Sequence, residues 1–182
     1  MPPSCRLIGG VVSLALGAVL AGCGSANVAA KPAGPQGANP VAWAGVFCAG
    51  FADVVTAQDQ VAKTPTTPQD EKDGLLKVAD STQQALVSTA HKLTQLGPPA
   101  ITNGKQAQDT TLSFFTTAAA AVGDRRAKLA ALDASDPNFA QQATQLPGPD
   151  LGAATTQMQG VTSNKDLAPA FGAAPQCQQL AH

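Results

Sequence analysis

Tyrosine is absent from this chain of 182 residues, tryptophan occurs once and phenylalanine six times, so aromatic side chains make up only 4% of it. Sheets draw on aromatic and β-branched residues, and their scarcity favours close-packed helices rich in Ala and small aliphatics. Charge is sparse too. Eleven cations face twelve anions for a formal net charge of -1, which leaves no basic surface for nucleic acid. Glu71 is the single glutamate, and His91 and His182 are the only histidines. A carboxylate-bridged di-iron bundle needs several Glu and Glu-x-x-His pairs on facing helices, so the inventory excludes it. The nucleophile elbow, the Walker loop, the dinucleotide fingerprint and zinc-ligand spacings are also missing. Ser88 lies three positions before His91, but a helical Ser more often bonds back to its own helix than serves as a nucleophile. No catalytic residue, metal or cofactor is therefore expected.

What the chain does contain begins at its first residues. Arg6 precedes an uncharged apolar run over 7–20, shorter than the roughly 20 residues of a membrane-spanning helix but suited to the core of a secretory signal. Small residues follow, and Leu20-Ala21-Gly22-Cys23 resembles the lipobox of bacterial lipoprotein signals at every position. The resemblance implies that residues 1–22 are removed and that Cys23 takes a diacylglycerol thioether, with its freed amine open to acylation. Each buried CH₂ contributes about 0.8 kcal/mol, so two or three chains would hold the protein stably on the extracytoplasmic face of a membrane. A plain secretory signal and an uncleaved anchor are the alternatives. Residues 24–39 are rich in Ala, Gly and Pro without hydrophobic periodicity, and with Cys23 they read as a lipidated, flexible tether.

That processing would remove Cys5 and consume Cys23, leaving Cys48 and Cys177 in a compartment where disulfides persist. A Cys48–Cys177 bridge is expected, tying the first helix to the last segment. The alternative, a metal-binding or catalytic pair of thiols, has no His or further Cys near either position.

Helical spacing dominates from Pro40 onward. Asn39-Pro40 caps a first helix to about Lys63, with Phe47, Phe51, Val54, Val55, Gln58 and Val61 on its apolar stripe. Thr64-Pro65-Thr66-Thr67-Pro68 breaks it. Thr67 caps a second helix from Pro68 to Leu96, which carries Leu75, Ala79, Thr82, Leu86, Ala90, Leu93 and Leu96 on one face and stops at Gly97-Pro98-Pro99. A third helix from near Thr102 to Leu132 presents Gln108, Leu112, Phe115, Ala119, Val122, Arg126 and Leu129. Asp136-Pro137 starts a fourth, which Pro147-Gly148-Pro149 interrupts before Met158 and Val161 resume. Short turns around Leu167 and Phe171 then lead Cys177 back to the first helix. Residues 124–128 (Asp-Arg-Arg-Ala-Lys) are the densest charge cluster and read as a solvated helix face more readily than as a binding patch.

The expected architecture for residues 40–182 is all-α, an up-and-down four-helix bundle with a short C-terminal extension tied back by the disulfide. From Cys48 onward this plan looks like the small, Ala-rich secreted proteins and lipoproteins of mycobacteria and other high-GC Gram-positive bacteria. Those place one Cys in an early helix and another in an Ala-x-Pro-x-Cys-x-x-Leu-like tail, here Ala173-Ala174-Pro175-Gln176-Cys177-Gln178-Gln179-Leu180. The likeness supplies no active-site residues. The reading is a membrane-anchored, extracytoplasmic lipoprotein with a non-enzymatic binding or interaction role in the cell envelope, its partner an envelope protein or an amphiphile. A second reading is a carrier of small amphiphiles in an apolar gap lined by Phe47, Phe51, Leu86, Phe114 or Phe115 and Met158, all of which also suit ordinary core packing. A third is an envelope hydrolase, which would need His91 clustered with an acid and a nucleophile.

Overall fold

The first two helices start where the sequence places their caps. A computed structural model of the protein describes residues 37–59, 66–146 and 152–180. The expected leader over 1–22, Cys23 and the tether up to residue 36 lie outside the described residues. So do Val61, Lys63, the first half of the Thr64–Pro68 break, the Pro147–Pro149 interruption and His182.

The described residues form seven helices and no strand: α1 (Pro40–Asp59), α2 (Pro68–Leu96), α3 (Gly104–Ala131), α4 (Phe139–Gln145), α5 (Gly152–Thr162), α6 (Ala168–Ala173) and α7 (Pro175–Leu180). Asn39 Oδ1 accepts from the amides of Val41 and Ala42 at 2.9 and 3.2 Å, and Thr67 Oγ1 accepts from Asp70 at 3.1 Å, so both expected caps operate. Gly97 takes a φ of 79° and its amide bonds back to the Leu93 carbonyl, ending α2 where the Gly-Pro-Pro run predicts. The third helix begins two residues later than expected. Asn103 adopts a left-handed φ of 57°, and Gly104 lies so close to the Pro99 carbonyl that no Cβ would fit. At the fourth, Asp136 accepts from the Asn138 amide at 2.7 Å in a preceding turn, and α4 itself starts at Phe139.

Contacts fix the register of the three long helices. Arg126 meets Asp80, Gln83 lies beside Gly123, Gln108 bonds Leu93, and Lys72 reaches the carbonyls of Ala130 and Leu132, so α2 and α3 run antiparallel along their full length. Between α1 and α2, Ala38 pairs with Pro99 and Gly50 abuts Thr89, which sets these two antiparallel as well. A Cβ at Gly50 would collide with the Thr89 side chain, so the glycine permits the close approach. α5 packs on α3, and α6 and α7 pack on α1.

Six of the seven aromatic rings gather in one cluster. Phe47 is its hub, with ring centroids 5.8 Å from Trp43, 5.0 Å from Phe51, 6.0 Å from Phe115 and 5.4 Å from Phe171. Such pairs add about 0.5–1.5 kcal/mol each beyond area burial. Val54 packs against this core, but Val55 is 51% exposed. Neighbours in a helix sit about 100° apart, so the stripe holds one of the two valines and turns the other to water. The sole tryptophan is fully buried, and its Nε1 donates to Gln108 Oε1 at 2.5 Å while Gln108 Nε2 donates to the Leu93 carbonyl at 2.7 Å. One side chain thus joins α1, α2 and α3. Gly37–Asn39, assigned from sequence to the tether, are bonded into the fold. The Ala38 amide donates to the Pro98 carbonyl and the Ala100 amide to the Ala38 carbonyl, each at 2.8 Å.

The Cys48–Cys177 disulfide is present, with 129 residues of sequence separation, and links α1 to α7. In the chain-entropy account a loop of that length stabilises by about 5 kcal/mol, and measured bridges deliver about 2–5. Reduction should therefore lower the urea midpoint without changing far-UV helicity at zero denaturant, and equal midpoints with and without reductant would refute this contribution. Gln108→Ala should cost about 2 kcal/mol or more by stranding the indole N–H and the Leu93 carbonyl. Denaturant unfolding monitored through Trp43 emission measures that loss directly.

Candidate functional site

A groove of about 580 Å³ opens along α2 and α3. Glu71, Leu75, Val78, Ala79, Thr82 and Leu86 of α2 form one wall, at the three- and four-residue spacings of a single helix face. Phe114, Ala118, Val122, Arg125, Arg126 and Leu129 form the opposite wall from α3 by the same periodicity. Phe51 and Val54 close one end from α1, and Ala143, Thr144 and Leu146 close the other at α4.

The gap follows from which helix covers which part of α2. α1 lies beside its C-terminal half, through Gly50 against Thr89. α4 lies beside its N-terminal half, where Leu75 and Leu76 pack on Leu129, Phe139 and Ala143. Between these two coverings the facing residues are short. Ala79, Ala118 and Thr82 stand where a Leu side chain would fill the space.

The groove takes only part of the apolar gap expected from sequence. Phe51, Leu86 and Phe114 line it. Phe47, Phe115 and Met158, at 5%, 0% and 6% exposure, are instead packed in the core away from its walls. Phe47 is held there by four rings, which leaves no face for a ligand. The residues that sequence reasoning did not single out as a site are Leu75, Val78, Ala79, Thr82, Val122 and Leu129. Most had been recognised as core stripe, and the signal for a groove was the run of small residues among them.

Polar groups are few and specific. Arg126 holds Asp80 through Nε to Oδ1 at 2.7 Å and Nη2 to Oδ2 at 3.2 Å. Arg125, from the cluster read as a solvated face, is exposed at the groove rim, with no ion pair or hydrogen bond among the described residues. The hydroxyls of Thr82 and Thr111 are buried without a partner, and Thr82 is in the groove wall. His91 is exposed on α2, and no carboxylate or hydroxyl is bonded to it among the described residues. Nor is any group of three or more His, Cys, Asp or Glu side chains placed there to hold a metal. Cys48 and Cys177 are spent in the disulfide.

No protein-family model, curated protein or solved structure matches the chain.

Four aspartates at the α4 end have carboxyls held below the ordinary range. The Arg126 hydrogen bond does this for Asp80, the Thr66 hydroxyl for Asp70, the Ser135 hydroxyl for Asp133 and the Asn138 amide for Asp136. A carboxyl whose folded value is lowered stabilises the fold above its unfolded pKa of about 3.9 and loses that contribution as pH falls through the lower, folded value. Asp80 and Arg126 are both largely solvated, so the effect of this pair is small. Asp80→Asn should lower Tm by about 1–3 °C at neutral pH and by nothing near pH 2. A constant Tm difference across that range, measured by circular dichroism, would exclude the ionised pair as its source.

Proposed function

We propose that this chain is a membrane-anchored, extracytoplasmic lipoprotein whose helical domain binds a small amphiphile without catalysing a reaction on it. The observation that carries the binding role is the groove, a concavity of about 580 Å³ with largely apolar walls and a few polar groups at its rim. The anchoring role is supported by the lipobox-like Leu20-Ala21-Gly22-Cys23 after an uncharged apolar run. On this reading residues 1–22 are a signal peptide, residues 23–36 a lipidated tether and residues 37–182 the binding domain.

Within that domain we read α4 and α5 as the two halves of an interrupted fourth helix. The plan is then an up-and-down four-helix bundle with α6 and α7 as the extension that the disulfide ties back. α1 is long and apolar enough to cross a membrane by length and composition alone. Its Trp43, Ala44, Phe47 and Cys48 are nevertheless buried among the other helices, so the anchor is assigned to Cys23.

Two measurements test the two halves of the proposal. Cys23→Ala should leave the membrane fraction or accumulate unprocessed, and a variant of unchanged processing and membrane retention would remove the lipidated anchor. Native mass spectrometry of the full chain, released from nonionic detergent micelles, should retain an amphiphile adduct. Ala79→Trp, which fills the groove, should lose that adduct while keeping its helical circular dichroism; equal adduct on a folded Ala79→Trp protein would place binding elsewhere.

A further inference from the structure

We infer that the groove takes a single-chain amphiphile with an anionic head, its tail laid between α2 and α3 and its head received by Arg125. The inference rests on the groove being the binding site, as proposed above.

Three charged side chains line the groove: Glu71, Arg125 and Arg126. Arg126 is committed, because its guanidinium is forked onto Asp80. Glu71 stands in the first turn of α2, where the positive end of the helix dipole offsets it. It is also nine residues from Asp80, about 13 Å along the helix. Arg125 has no such compensation. The positions three and four residues away on either side hold Ala121, Val122, Lys128 and Leu129, so no acid faces it along α3. Asp124 is adjacent in sequence but about 100° round the helix. At the level of Arg125, well along the axis from Glu71, the uncompensated charge is therefore positive, and its fork suits a carboxylate or phosphate.

Thr82 stands at the same level with a buried hydroxyl that has no partner, a state it shares with Thr111 outside the groove, and it offers a donor there. The α2 and α3 register sets Asp80 opposite Arg126, so Thr82 lies within a helical turn of Arg125 along the axis. Thr89, Thr94, Thr116, Thr156 and Thr162 each donate a hydroxyl to the carbonyl four residues back. Thr82, only 8% exposed, makes no such bond. A rotation about χ1 exchanges its methyl and hydroxyl at the wall, which lets it donate to a head-group oxygen. From Arg125 the α3 wall runs about 16 Å to Phe114, a path for one tail laid along the helices.

Titration of the full chain by native mass spectrometry with hexadecanoate, hexadecanol and hexadecyltrimethylammonium tests the inference. Hexadecanoate should bind at least about tenfold more tightly than the other two. Dodecanoate, tetradecanoate and hexadecanoate should tighten by about fourfold per added methylene where the tail is fully buried. Arg125→Gln should abolish the preference for the anion while leaving hexadecanol unchanged, and Lys128→Gln, outside the groove, should preserve it. Thr82→Val should weaken hexadecanoate about threefold or more without lowering Tm, since it removes an unpaired buried hydroxyl. Equal affinity for all three heads, or an anion preference that survives Arg125→Gln, would overturn the anionic assignment and leave the groove as a binding site. Failure of all three amphiphiles to bind would overturn both readings together.

Discussion

One side chain sets the arrangement of the three long helices. Gln108 sits on an otherwise apolar face of α3, accepts from the Trp43 indole and donates to the Leu93 carbonyl, all in a region closed to water. A buried amide is tolerated only where its partners are in reach, so this contact fixes rotation and register together instead of merely adding attraction. The aromatic cluster, the Gly50–Thr89 approach and the Ala38–Pro99 bridge all adopt positions consistent with it.

The consequence is a molecule with two unlike ends. At the Trp43 end are most of the rings, the disulfide and the satisfied amide network. At the opposite end the core is a small cluster around Leu129, Phe139 and Ala143, bordered by solvated polar contacts such as Arg126–Asp80 that add little. The groove begins where the first kind of packing gives way to the second. A recess there removes contacts from the less densely packed end, and the aromatic core beyond Phe51, Leu86 and Phe114 stays filled.

Much of this was legible in the residues. The caps at Asn39 and Thr67, the span of α2 to the residue and the Gly97 stop follow from local chemistry, and the Cys48–Cys177 pairing was expected on the processing that the lipobox resemblance implies. The groove was not legible, for a physical reason. Periodicity identifies which face of a helix is apolar but not which neighbour covers it, so Leu75, Ala79, Val122 and Leu129 read as core and proved also to line a groove. Arg125 was obscured in the same way. A charge in a helical run is solvated on either account, and only the packing of α4 decides that it stands over an apolar wall. Gln108 was placed on the buried stripe correctly, but its two partners lie on other helices and at long sequence distance.

The short pairing of Ala38 with Pro98 and Ala100 also determines how the domain carries load. Any tension arriving from the residues before Gly37 enters the fold at two parallel backbone bonds, which are anchored on the α2–α3 connection. Force is shared between those bonds and passed to the middle of the chain before it reaches the first turn of α1. A pull that would otherwise unwind α1 residue by residue, from Pro40 toward Trp43, meets these two bonds first.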